Sequence, residues 1–154
     1  MKRHIGAALA FALLLAVLCG CGKERPVTAN ADEFVICVRL QTEDAVMCAA
    51  ADYFINGEFL GGLAMNHADG TALERDETMV FRFAKEQFPP GTKDFKGFSF
   101  LVKLSAGAGS EFLEDIANSV GFTETERCAP FTPEYGNVYT FTVRGSFTEG
   151  FTLE

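Results

Sequence analysis

From Glu33 onward the chain alternates between two sets of positions with a period of two. Phe34, Ile36, Val38 and Leu40 fall on one side, and Val35, Cys37, Arg39 and Gln41 on the other. That is the pattern of a half-buried strand. Gln41-Thr42-Glu43-Asp44 turns the chain, and a second extended run follows from Ala45 to Ile55. The next pair, Asn56-Gly57, is a strong hairpin signal, because both central residues of the tight two-residue turn must accept positive φ. Phe59-Leu60 begins a short third strand that Gly61-Gly62 ends or bulges. Thr78 to Phe83 alternates again, with Met79, Phe81 and Phe83 on one side. Phe98, Phe100, Val102 and Leu104 alternate with Ser99, Leu101 and Lys103. Tyr139, Phe141 and Val143 alternate with Val138, Thr140, Thr142 and Arg144, and a final run spans Phe147 to Leu153.

One stretch breaks the period. Ser110 can cap a helix whose first turns carry Glu111, Glu114 and Asp115, acids suited to the positive end of the helix dipole. Phe112, Leu113, Ile116, Ala117 and Val120 then share one helical face, and Gly121 sits at the C-cap position. This predicts a short helix at 111–120, with an irregular edge strand as the alternative. Seven or so short strands separated by turns predict an all-β chain, an antiparallel β-sandwich forming a single domain over 33–154. Fifteen of the 16 Phe lie beyond residue 20; Phe fills the ~10 Å space between two sheets without leaving a polar atom to satisfy.

The N-terminus follows a different rule. A basic start, Met1-Lys2-Arg3-His4, precedes 14 uninterrupted apolar or small residues from Ile5 to Leu18. That run is short of the ~20 residues a spanning helix needs and has the layout of a secretory signal. Its end, Leu18-Cys19-Gly20-Cys21-Gly22, resembles the bacterial lipobox. The resemblance implies cleavage after residue 20 and diacylglycerol on the Cys21 sulfur, with palmitate-type acyl chains holding the chain on the extracytoplasmic face of the cell membrane. Two chains suffice for stable anchoring at ~0.8 kcal/mol per buried methylene. Cys19 would compete only with Leu18 at its −1 position, which is too bulky. Residues 21–32, with Pro26 and no periodicity, read as a flexible tether.

Two further resemblances concern the body. Phe131 to Val143, with Gly136 three residues before Tyr139, resembles the tyrosine-corner region of fibronectin type III and other immunoglobulin-like domains. It implies an immunoglobulin-like sandwich in which the Tyr139 hydroxyl bonds back to upstream backbone. In this chain Pro133 is displaced upstream and no Trp is present. The layout as a whole, including Tyr53-Phe54-Ile55-Asn56-Gly57-Glu58 and Gly61-Gly62, is similar to uncharacterised small bacterial lipoproteins, a likeness that brings no catalytic residues.

Charge and chemistry narrow the functional classes. The chain carries 21 acidic and 13 basic residues, a net charge of −8, and no basic cluster, which argues against nucleic acid as a partner. His67 is the only His after position 4. No Cys-x-x-Cys or His-x-x-x-His spacing provides a metal site. Asn66 to Gly70 matches a calcium loop only in Glu77 at position 12. Ser105 to Ser110 is Gly-rich but has no Lys to reach a phosphate. No cofactor, metal or catalytic residue is therefore expected. Cys37, Cys48 and Cys128 remain after lipidation, and an exported location permits a disulfide. If the chain turns at Thr42-Glu43, Cys37 faces Cys48, which makes that pair the first choice of bridge; three apolar fillers are the alternative. The expectation is thus a membrane-anchored binding module for an envelope protein, peptide or glycan, with Tyr53 and Tyr135 as candidate contact residues. An accessory envelope enzyme, hydrolytic or redox, is the alternative.

Overall fold

The computed structural model describes residues 26–88, 92, 95–107 and 121–154. The leader expected at 1–20, Cys21 as the expected lipid acceptor and the helix expected at 111–120 lie outside the described residues. Within them the chain forms eight strands: β1 Glu33–Thr42, β2 Cys48–Ile55, β3 Glu58–Met65, β4 Thr78–Ala84, β5 Phe98–Ser105, β6 Thr123–Glu124, β7 Val138–Ser146 and β8 Gly150–Leu153. A single 3-10 turn, Lys85–Gln87, follows β4. The strands make two four-stranded sheets, ordered β4-β1-β7-β8 and β3-β2-β5-β6. Among the described residues no helix is long and apolar enough to cross a membrane.

The inward residues of β1 are those the alternation picks out: Phe34, Ile36, Val38 and Leu40 are all buried. They meet Met79, Phe81 and Phe83 of β4 and, from the other sheet, Phe98, Phe100, Val102 and Leu104 of β5. One end of this core is aromatic. Phe34 stacks on Phe83 with ring centroids 4.9 Å apart and meets Phe95 and Phe98 edge-on at 5.4 and 5.3 Å. Offset and edge-on contacts are the arrangements the ring quadrupole favours.

The pairing departs from the expected pattern in three places. First, β1 and β7 run parallel, in register from Val35↔Val138 to Thr42↔Gly145, so this sheet is mixed rather than antiparallel. Second, β1 and β2 are not a hairpin. The connecting residues are bonded to both sheets, Glu43 N–H to Gly145 O and Met47 N–H to Ser105 O, and carry the chain from one sheet to the other. Third, β3 does not end at Gly61-Gly62 but continues to Met65; the bulge that was the other expectation is present, the register passing from Phe54↔Phe59 to Tyr53↔Gly61 with Leu60 as the extra residue. Its partner strand explains the glycines: a Cβ at Gly61 would lie 2.7 Å from the Tyr53 hydroxyl, and one at Gly62 2.9 Å from Asp52 Oδ1. The β2–β3 hairpin itself forms as expected, with Asn56 at φ 52° and Gly57 at φ 86° between the paired residues Ile55 and Glu58.

On one flank the two sheets are bridged by Thr125↔Phe151. On the other, β3 and β4 are the terminal strands. The segment read as a free tether is engaged before β1 begins. Thr28 O accepts a hydrogen bond from Arg82 Nη1 at 3.2 Å, and Asn30 donates through its backbone N–H and Nδ2 to Glu33 Oε1. Val27 lies beside Cys37, Arg39 and Thr140. These residues alternate with the inward set, so the segment lies on the outer face of the first sheet.

Candidate functional site

The described surface offers shallow grooves and one polar cluster. The cluster is built by the turn between β3 and β4, where Asn66 to Thr71 reverse the chain and Glu74 to Glu77 lead into β4. His67 Nε2 lies 2.8 Å from Glu77 Oε1, and Nδ1 lies 2.9 Å from Thr71 Oγ1. The Thr71 hydroxyl donates to Asp69 Oδ1 at 2.7 Å, and the Thr71 N–H donates to the same oxygen at 3.0 Å. Glu77 Oε2 accepts the Glu74 N–H at 2.7 Å. All these bonds are made together only when both ring nitrogens carry protons and His67 is an imidazolium.

The sequence places His67 and Glu77 in this region but gives no sign that they meet. Glu77, the single match to a calcium loop, pairs with His67 instead. The carboxylate that would close such a loop is taken up by the imidazole and by Glu74 N–H. Among the described residues no group of His, Cys, Asp and Glu is placed to hold a metal.

A Thr–His–Glu sequence invites comparison with a nucleophile relay, in which a general base must offer a ring lone pair to the hydroxyl proton. With His67 an imidazolium, the ring has no lone pair to offer and the Thr71 hydroxyl proton goes to Asp69 Oδ1, 2.7 Å away. The cluster is a clamp on the turn. The Glu77 hydrogen bond chiefly raises the His67 pKa; desolvation opposes it, and the charges of Glu77, Asp69 and Glu74 add to it. A pKa raised on folding stabilises the turn fully below the ordinary histidine value and loses that contribution as pH rises through the raised one. NMR titration of the His67 ring is expected to give a midpoint above ~6.5, the unperturbed value, and Glu77→Gln should return it towards that value. A wild-type midpoint at or below the unperturbed value would contradict the clamp.

The thiols do not meet. Cys37 lies opposite Val80 and Thr140 in the first sheet, and Cys48 opposite Ser105 in the second. Cys128 Sγ accepts the Phe100 N–H at 3.3 Å. All three are free and buried, which corrects the expected Cys37–Cys48 bridge: that pairing needed a β1–β2 hairpin, and the strands belong to different sheets. Burial raises each thiol pKa, that of Cys48 to about 12, so the thiols stay protonated and unreactive.

Tyr53 is not a surface contact residue either. It is buried against Phe83 and Phe98, with its ring over Gly61. Tyr135 is half-buried, edge-on to Phe95 at 5.2 Å, and its hydroxyl has no hydrogen-bond partner among the described residues. At the expected tyrosine corner the Tyr139 hydroxyl accepts the Glu134 N–H at 3.0 Å. Gly136 adopts φ 82° and donates its N–H to Glu33 O at 2.7 Å.

The second sheet carries features that alternation alone did not reveal. On its outer face Lys103 Nζ lies 2.6 Å from Asp52 Oδ2 and 3.5 Å from Glu124 Oε1, with the Lys103 side chain only 9% exposed. This ion group forms part of a groove of about 440 Å³ walled by Phe59, Gly62 and Ala64. At the groove's edge Phe59 is 61% exposed and Leu60 36%. Arg127 stacks over the Phe54 ring, 3.5 Å from its centroid, and Phe54 meets Phe59 edge-on.

No protein family and no curated protein matches the chain. Among solved structures it is similar to a disulfide-locked mutant of intermedilysin with human CD59, at a TM-score of 0.36 and 8% identity over 79% of this chain. It is also similar to pneumolysin, at 0.35 and 11% over 79%. The chain covers 23% of the length of each. The membrane-binding domain of pneumolysin is matched over 79% of this chain and 94% of that one, at a TM-score of 0.32 and 8% identity. Scores this low carry no argument about function. The described residues form an all-β fold of two four-stranded sheets.

Proposed function

We propose that this chain is a lipid-anchored envelope protein. Its immunoglobulin-like β-sandwich serves as a binding module for another envelope component rather than as a catalyst. The anchor reading rests on the apolar run Ile5 to Leu18 and the box ending at Cys21. Arg82 and Thr28 add a geometric consequence. Six residue steps lead from Cys21 to Val27, a reach of at most ~20 Å, so an acylated Cys21 would hold the sandwich close to the bilayer instead of on a long leash. The immunoglobulin-like reading draws support from the Tyr139-to-Glu134 hydrogen bond.

The observation that carries the binding reading is β3. It is an eight-residue terminal strand whose one charge is Glu58, and it displays Phe59 and Leu60 to solvent. Exposed apolar surface on a sheet edge marks a site where another chain is received. The anchor is tested by mass spectrometry of the native protein and by fractionation. The mature chain is expected to begin at Cys21 with the mass of acyl groups, and Cys21→Ala should release it from membranes. A native chain that starts elsewhere or lacks acyl mass overturns the anchor. For the binding reading, protein carrying a photo-reactive benzoylphenylalanine in place of Phe59 or Leu60 is expected to cross-link to another envelope component in intact envelopes. Absence of any cross-link from these positions would remove its support.

A further inference from the structure

We propose that the groove on the outer face of the second sheet is a saccharide site, in which a neutral pyranose lays its C–H face on Phe59 and donates a hydroxyl to Asp52 Oδ1. The inference deepens the binding-module reading by naming the partner as an envelope glycan, and it rests on that reading. It does not require the anchor.

The bulge in β3 builds the site. Phe54 pairs with Phe59, Asp52 with Gly62 and Ala50 with Ala64, and directly paired residues share a face of the sheet. The β2 members alternate with Ala51 and Tyr53 of the core, so all three pairs face outward. Strict alternation back from Gly62 would put Phe59 on the inner side. Leu60, the extra residue, returns it to the outer one. There the Phe59 ring is 61% exposed and walls the groove of about 440 Å³, a volume within the range of small-ligand pockets. The floor is low because Ala50, Gly62 and Ala64 carry a methyl group or nothing.

Gly62 opens the acceptor. A Cβ there would come within 2.9 Å of Asp52 Oδ1, so the missing side chain leaves a cradle in front of that oxygen. The other carboxylate oxygen, Oδ2, lies 2.6 Å from the buried Lys103 ammonium. That contact pins the carboxylate and offsets its charge, while the lone pairs of Oδ1 still accept a proton donor.

These features choose the ligand. A cation gains little from a carboxylate already matched to an ammonium, and an anion would meet both Asp52 and Glu124, which flank Lys103. A hydroxyl can donate to Oδ1 without either cost. A pyranose has an apolar C–H face and hydroxyls at its rim, which matches an exposed ring beside a fixed acceptor. The ring is held ready for it: Phe54 meets Phe59 edge-on at 5.8 Å and is itself covered by the Arg127 guanidinium, 3.5 Å from its centroid.

The test is saturation-transfer difference NMR on the full chain in deuterated detergent, with a glucose trimer and an N-acetylglucosamine trimer as neutral probes. Wild type is expected to transfer saturation to the ring C–H protons of one or both trimers. Phe59→Ala and Gly62→Ala should each weaken binding about fivefold or more, as loss of a central contact does, and Phe59→Trp should keep it. Circular dichroism checks the fold, and Phe59→Ala decides alone where Gly62→Ala disturbs it. No transfer from wild type to either trimer, or undiminished transfer from Phe59→Ala, overturns the proposal. Benzoylphenylalanine in place of Leu60 separates the two readings. A cross-link to an envelope protein without any saccharide signal overturns the glycan and keeps the binding module with a polypeptide partner; loss of both signals removes the module as well.

Discussion

Phe34→Ala is expected to remove a large part of the stability of this fold, about 4 kcal/mol of the ~5–15 typical of a domain. Phe34 is fully buried at the start of β1. Its ring lies within 6.3 Å, centroid to centroid, of Phe83, Phe88, Phe95, Phe98 and Tyr135. Truncation loses the transfer free energy of the ring and leaves a cavity with rigid walls. Collapse into that cavity is resisted because the neighbouring rings are fixed by one another: Phe83 by Tyr53 and Phe98, and Phe88 by Phe95. Urea unfolding should show a lower midpoint with little change in slope. Phe59→Ala is the contrast, since Phe59 is 61% exposed and its loss should shift stability by no more than ~0.5 kcal/mol. Similar losses for the two variants would mean that the aromatic cluster is not the rigid end of the core described here.

The inward residues of β1, β4, β5 and β7 were readable because each strand has a clear apolar side, and period two assigns a face without any knowledge of the partner. The Asn56-Gly57 turn was readable for a local reason too, the φ that both residues must adopt. Pairing between strands is not a local property. Nothing in residues 33 to 55 indicates that Thr42 to Cys48 change sheets, so the hairpin that would have joined Cys37 to Cys48 was a reasonable reading of a pattern that also fits a crossover. Gly61-Gly62 read as an end or a bulge because strand propensity counts only the residue itself; the chain bulges at Leu60 and the strand goes on. The groups that fill the space over these glycines, the Tyr53 ring and the Asp52 carboxylate, come from β2. The sequence offers His67 no partner at short spacing, because Glu77 is ten residues away. Ser99, Lys103 and Ser105 occupy the polar side of β5 and are nevertheless buried, so binary patterning could not mark them as a site.

Lys103 is the residue on that side with the most at stake. Its side chain is 9% exposed, and it holds Asp52, itself only 19% exposed, at 2.6 Å. Burial works against the charge on Lys103, but the hydrogen bond and charge of Asp52, with help from Glu124, outweigh it and raise the pKa. Lys103→Ala is therefore expected to cost about 3 kcal/mol, because the Asp52 carboxylate is left in a poorly solvated place without a counter-charge. Removing both partners should cost less than the two single changes together, since the second change removes the stranded charge. The two single variants and the double variant, unfolded in urea at neutral pH, measure that coupling. Additive losses would place the ion pair in water-like surroundings. The pH dependence supplies a second reading: a lysine pKa raised on folding gives stability that is whole below the unfolded value of ~10.4 and fades as pH climbs through the folded one. Wild type should accordingly lose stability at high pH more steeply than Lys103→Ala.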